Sequence, residues 1–213
     1  MRTASQIILH LTDLHFGCDN GANEVAARAL ALRGLLTALN SVEPDWKPTI
    51  LCLTGDIGWK GLAGDYEQAQ KWLKALIDKF GISEDRVLLC AGNHDIDRNV
   101  SQKYARPKDG PEADRILATP IASMYKEAFG PFCRFAKDFS IPPYAFGSEP
   151  SHLTGERVIE GISFCALNSA WFCQGPDDKG NLWLGKPHID ILEHSGQLSV
   201  VAGTSPTFAS LSE

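Results

Sequence analysis

Three short apolar runs mark the first hundred residues: Ile7-Ile8-Leu9-His10-Leu11, Ile50-Leu51-Cys52-Leu53 and Val87-Leu88-Leu89-Cys90. Runs of this length, rich in β-branched residues and Leu, predict buried strands. Between them the apolar positions switch to helical spacing. Val25, Leu32, Leu36 and Leu39 predict an amphipathic helix over about Asn23 to Ser41, its stripe facing the core and its end set by Glu43-Pro44-Asp45. Tyr66, Ala69, Leu73, Leu76 and Phe80 predict a second helix, capped by Asp65 with Gln68 three residues on and closed by Gly81. Strand alternating with helix predicts an α/β fold with parallel pairing.

Beyond Val100 the pattern loosens. Residues 103–110 predict a loop, Glu112–Leu117 and Ser123–Phe139 predict helices, and Pro142-Pro143 with Gly147 to Pro150 predicts another loop. Val158–Ile162 and Ser163–Leu167 predict a hairpin in a second sheet. Trp171, Phe172 and Trp183 are candidates for exposed loops, where they either wall a nucleobase site or, as is commoner, bury against the sheet.

Each of the first three runs closes on a polar motif. The motifs are Asp13-Leu14-His15, Gly55-Asp56 and Gly92-Asn93-His94-Asp95. Strand ends along one edge of an open α/β sheet are where sites assemble. Carboxylate, imidazole and amide oxygen together suit Mn, Fe, Zn or Ni rather than a thiolate site. Asp13 and His15 are two apart, so on extended chain they share a side and one ion can take both. Glycine before Asp56 and before Asn93 lets the backbone turn sharply beside an ion. A carboxylate such as Asp56 can bridge two cations, and two cations can clamp one phosphoryl group. His94 would project beside the ions, a place for a general acid. Singly these motifs are weak, since Gly-Asp is more often a turn; their order and strand context give them weight. The stretch at about 100–151 reads as an insertion capping this site. Its Arg98, Lys103, Arg106 and Lys108 either meet substrate phosphate or form a solvated charged loop.

These motifs resemble the calcineurin-like metallophosphoesterase superfamily, whose pattern is D-x-H, G-D, G-N-H-(D/E), a separate His, then G-H-x-H. The resemblance implies a four-layer α/β/β/α sandwich of two mixed sheets flanked by helices. It implies two divalent transition metal ions: Asp13, His15 and Asp56 on the first, Asp56 and Asn93 on the second, with Asp56 bridging. It further implies phosphomonoester or phosphodiester hydrolysis by a metal-bridging hydroxide, with His94 protonating the leaving oxygen and Asp95 orienting His94. Gly55-Asp56-Ile57-Gly58 followed by Gly64-Asp65-Tyr66 is similar to the cyclic-nucleotide-phosphodiesterase-like branch. Asn93 to Arg98 resembles phosphoesterase domains of bacterial signalling proteins. The last two blocks do not occur. The helix Pro187–Glu193 resembles the one before the separate His, and Leu198–Thr204 the strand after G-H-x-H. The ligand segment between them is therefore expected to be missing near 193–194, which leaves the second ion weakly held. Of the other histidines, His10 reads as support behind the ligands or as plain packing, His152 as solvated, His188 as a helix start and His194 as a helix end.

Composition narrows this modestly. The 213 residues suffice for a single domain, 1–213, with one sizeable core. A net charge of −6 weighs mildly against nonspecific nucleic-acid binding. The six cysteines, none in C-x-x-C, fit a reduced, cytoplasmic protein better than a disulfide framework, with Cys18 a bystander near Asp13. No stretch predicts a membrane span. Two other readings stay open: a metal-dependent DNA nuclease, and a degenerate, non-catalytic phosphate-binding module.

Overall fold

Hydrogen bonds between strands of one direction build the first sheet. The computed structural model describes residues 6–119, 122–175, 178–194 and 200–202. In it β1 (Ile8–Leu11), β2 (Ile50–Thr54) and β3 (Val87–Cys90) lie side by side in the order β1-β2-β3, both pairs parallel. The connections are α1 (Ala22–Asn40) and α2 (Ala63–Phe80), crossovers long enough to return the chain to the same edge. That explains why this sheet is wholly parallel among the described residues, where two mixed sheets were expected.

Its two faces alternate as strand geometry requires. Leu51, Leu53, Val87 and Leu89 face the helices with Ala69, Leu73, Leu76 and Ile77 of α2. Ile50, Cys52, Leu88 and Cys90 face the other way and pack against Tyr144, Ile159, Phe164 and Ala166. Those partners belong to a second, mixed sheet: β4 (Tyr144–Phe146), β5 (Glu149–Ser151), β6 (Gly155–Ile159), β7 (Ile162–Ala166) and β8 (Val200–Ala202), ordered β5-β4-β6-β7-β8. The predicted hairpin is β6–β7, turned at Glu160-Gly161 with φ of 51° and 80°. The predicted tail strand is β8, parallel to β7; Leu198–Ser199 and Gly203–Thr204 lie outside the described residues.

Four expectations shift. In the stripe of α1, Leu32, Leu36 and Leu39 pack half-buried against the core while Val25 is exposed, and no residue of that helix is fully buried. In α2, Asp65 is not the cap but the third helical residue. Its Oδ2 accepts from the amides of Trp59, Lys60 and Leu62, folding the preceding loop onto the helix start. Gly81 does close the helix, in the left-handed region at φ 65°. The single helix expected over Ser123–Phe139 is two, α5 (Ala122–Glu127) and α6 (Gly130–Asp138), because Gly130-Pro131 restarts the chain. With α3 (Arg98–Ser101) and α4 (Gly110–Leu117) they fill the stretch before β4, and Phe132 and Phe135 of α6 stack near Tyr66 of α2. Trp171 and Phe172 are buried in the same cluster, so the packing reading of these aromatics holds. The last helix, α7 (Lys186–His194), carries His188, which is buried between Phe146 and Trp171. His152 is half-buried rather than solvated.

Candidate metal centre

The parallel ladder continues past the strand ends and gathers the three motifs. Asp13 N donates to Gly55 O, His15 N to Asp56 O, Phe16 N to Ile57 O, and Gly55 N to Cys90 O. Asp13, His15 and Asp56 sit beyond the strands with φ of 56°, 47° and 52°. Non-glycine residues rarely adopt this left-handed region, and such strain gathers where function requires a geometry. Asp13 and His15 are therefore brought together by two left-handed turns, not by the extended chain the spacing suggested.

Three ligand atoms from His15, Asp56 and His94 lie within 4.8 Å of one another, the only such group of His, Cys, Asp and Glu among the described residues. Asp13 stands beside them, its Oδ1 3.8 Å from His15 Nε2 and its side chain partly exposed. Asp56 is 4% exposed, and its Oδ1 accepts from the His94 amide at 2.9 Å. Glycine at 92 is obligatory for this approach: a Cβ there would sit 2.5 Å from the Asp56 amide nitrogen and closer still to its carboxylate. Cys18 does not join, and the exposed His10 pairs through Nε2 with Thr54 Oγ1.

Burial drives the electrostatics. It raises the Asp56 carboxyl, opposed by the His94 amide and the neighbouring imidazoles, and lowers His15, opposed mainly by the Asp56 charge. His15 Nδ1 is buried with no hydrogen-bond partner. A buried carboxylate with two imidazoles within ligand distance fits a divalent transition ion, whose charge would reverse both effects.

Around this group one residue acts differently from expectation and another enters unforeseen. Asp95, fully buried, does not hydrogen-bond the His94 ring. Its carboxylate accepts from the amides of Ile57, Gly58 and Gly92 and from Tyr66 Oη, tying the second loop to the third. Burial pushes its carboxyl up to about 7, with the Gly58, Gly92 and Ile57 amides pulling the other way. The His94 ring is held instead by Trp59, whose carbonyl accepts from Nδ1 at 2.8 Å and whose indole stacks on the imidazole at 4.6 Å. A carbonyl only accepts, so Nδ1 carries the proton and Nε2 is left for the site. Trp59 was invisible in the motif pattern: it follows Asp56 by three, and its contribution is a backbone oxygen and a ring face.

A scan against family models matches the calcineurin-like phosphoesterase model over residues 7–198. The chain belongs to the calcineurin-like phosphoesterase family. Among curated proteins none matches it. Membership makes the chain a phosphoesterase-family protein of metal-dependent type, and the His15–Asp56–His94 group is its candidate metal site. No helix among the described residues is long and apolar enough to cross a membrane.

A cavity of ≈ 410 Å³ opens beside the group, lined by Asn93, His94, Arg98, Gly175, Asp178, Lys179 and Leu182. Of the four cations suggested by sequence, Arg98 lines it. Arg106 pairs with Asp178 on its wall, and Lys103 and Lys108 are exposed elsewhere. Lys179 carried no signal in the sequence, standing in a polar loop without periodicity.

Proposed function

We propose that this family member hydrolyses a phosphoester using divalent metal held by Asp13, His15, Asp56 and Asn93, with Asp56 shared between two ions. The carrying observation is the His15–Asp56–His94 group of ligand atoms within 4.8 Å, assembled by loop residues Asp13, His15 and Asp56 that all hold left-handed φ. A bound divalent ion supplies Lewis-acid neutralisation of phosphoryl oxygens and lowers the pKa of attacking water. The chain's own residues do the rest. Asp56 and His15 supply ligand atoms in a desolvated pocket. Asp95 locks the second and third loops in register. The Trp59 carbonyl fixes Nδ1–H, so that His94 in its protonated form presents Nε2–H to the leaving oxygen.

The fold reading that goes with this is the four-layer α/β/β/α sandwich, with the 100–151 stretch flanking the site. Free cysteines, four of them buried, support a reduced, cytoplasmic setting. The likeness of Gly55–Gly58 and Gly64–Tyr66 to the cyclic-nucleotide branch makes a phosphodiester the first substrate to try.

The test is hydrolysis of bis(p-nitrophenyl) phosphate and p-nitrophenyl phosphate during a Mn titration, with elemental analysis after desalting. Turnover that needs excess free Mn and is abolished by chelator is expected, with about one tightly held ion per chain. No hydrolysis of either ester at saturating Mn overturns the reading in favour of a phosphate-binding module. A second reading has its own support: His94 lies close enough to His15 and Asp56 to be a ligand through Nε2. Then His94→Ala would lower the bound metal count, whereas loss of an acid would leave it unchanged.

A further inference from the structure

The ≈ 410 Å³ cavity beside His94 exceeds what one phosphoryl group fills, and its wall is cationic. Two of its lining residues are basic, Arg98 half-buried and Lys179 exposed, and neither makes an ion pair among the described residues. The acid on the same wall is already engaged. Asp178 Oδ1 pairs with Arg106 and accepts from the Gln174 amide, and its Oδ2 accepts from the Gly175 amide at 2.9 Å. Among the described residues the cavity therefore presents two cations outside any ion pair, with Leu182 as its apolar member. It begins at His94, whose free Nε2 is the group proposed to meet the leaving oxygen, so whatever enters it is attached to that oxygen.

We propose that this cavity is a subsite for a leaving group that carries a phosphate of its own, held by Arg98 and Lys179. This rests on the phosphoester-hydrolase reading and deepens it: the preferred substrate is an ester whose alcohol product is itself a phosphate, as when a nucleoside bisphosphate loses its 3′-phosphate. Water adds hydroxyl to phosphorus, the P–O bond to the sugar breaks, and His94 protonates the departing oxygen. The nucleoside 5′-phosphate is then left between the two cations. Arg98 offers a planar fork suited to two phosphate oxygens, and Lys179 a mobile point charge.

Binding and turnover test this separately. Metal-free protein is titrated with adenosine 5′-monophosphate and with adenosine, following tryptophan fluorescence, since Trp59 stacks on His94 at the cavity's edge. The monophosphate should bind and adenosine should not, and Arg98→Gln/Lys179→Gln should weaken binding about tenfold or more. Arg98→Gln alone serves if the double variant fails to fold by urea denaturation. With Mn, the wild type should prefer adenosine 3′,5′-bisphosphate over adenosine 3′-phosphate, and the variant should bring that ratio towards one through KM. Equal monophosphate binding by wild type and variant, or none by either, overturns the subsite. Absence of hydrolysis of every ester overturns the hydrolase reading instead, and the metal-free titration still reads the subsite.

Discussion

The two strand–helix units of the first sheet are built alike and packed unalike. α1 has 19 residues and none fully buried; α2 has 18, of which six are. β2 and β3 are buried at every position, while β1 alternates between exposed and half-buried. Position in the sheet is the cause. β2 lies between two strands and under the second sheet. β1 has one neighbour among the described residues, and none of its residues joins the sheet-on-sheet cluster. Apolar periodicity tells a helix which face to turn inward; how deeply that face is covered depends on what lies across from it. The proposed metal centre straddles this difference. Asp13 and His15 come from the loosely packed unit, while Asp56, Asn93 and His94 come from the densely packed one. A tie between them is the His15 amide, which donates to the Asp56 carbonyl at 2.8 Å.

The largest break in this comparison is predicted at the ligands. Asp56→Asn should lower turnover of an aryl phosphodiester by more than about 100-fold, because even partners behind a ligand cost roughly 10–100-fold. Asp13→Asn, on the exposed side, should cost less turnover and be partly restored by raising free Mn. Steady-state rates across a Mn titration read both. Similar losses that no amount of Mn relieves in Asp13→Asn would mean the two loops act as one rigid unit.

Packing should divide the same way. Leu73 of α2 is 1% exposed, and Leu73→Ala should cost about 2–5 kcal/mol of stability, transfer plus cavity. Leu36 of α1 occupies the matching stripe but is half-buried, and Leu36→Ala should cost about 1 kcal/mol. Urea unfolding of the metal-free protein measures both. Equal costs would show that α1 is covered as fully as α2.

Much of this is legible in the sequence. Three strands, their helices, their parallel direction and their polar ends follow from apolar runs whose length and spacing leave few alternatives. Depth of burial was not legible, since Val25 and Leu32 are as apolar as Leu73 and Leu76. Nor was the means by which Asp13 meets His15, because residue spacing is silent on left-handed φ. Trp59 escaped because its hydrogen bond comes from the backbone. For Asp95, motif adjacency to His94 suggests a partner, whereas its carboxylate accepts from amides brought close only by the fold.

The smallest predicted effect concerns a histidine enclosed by the dense region. His188 is 4% exposed, ringed by Phe146 and Trp171, and its Nδ1 has no partner. Burial pulls its pKa down from 6.5 to about 4, with nearby Lys126 adding to the shift and the Leu117 backbone and Asp114 opposing it. In the unfolded chain the ring titrates normally, so between pH 6.5 and 4 the unfolded state binds more protons. Stability therefore falls as pH drops through that window and is fully present above it. From pH 7.5 to pH 5 the loss assigned to this ring is about 2 kcal/mol. His15, lowered for the same reason, adds to the wild-type slope, so the decisive quantity is a difference between proteins. Urea unfolding of metal-free wild type and His188→Leu at both pH values should show the variant losing less stability on acidification, whatever its stability at pH 7.5. Identical pH slopes would mean that the folded state admits a charged His188, and that this part of the core opens to water more readily than its burial implies.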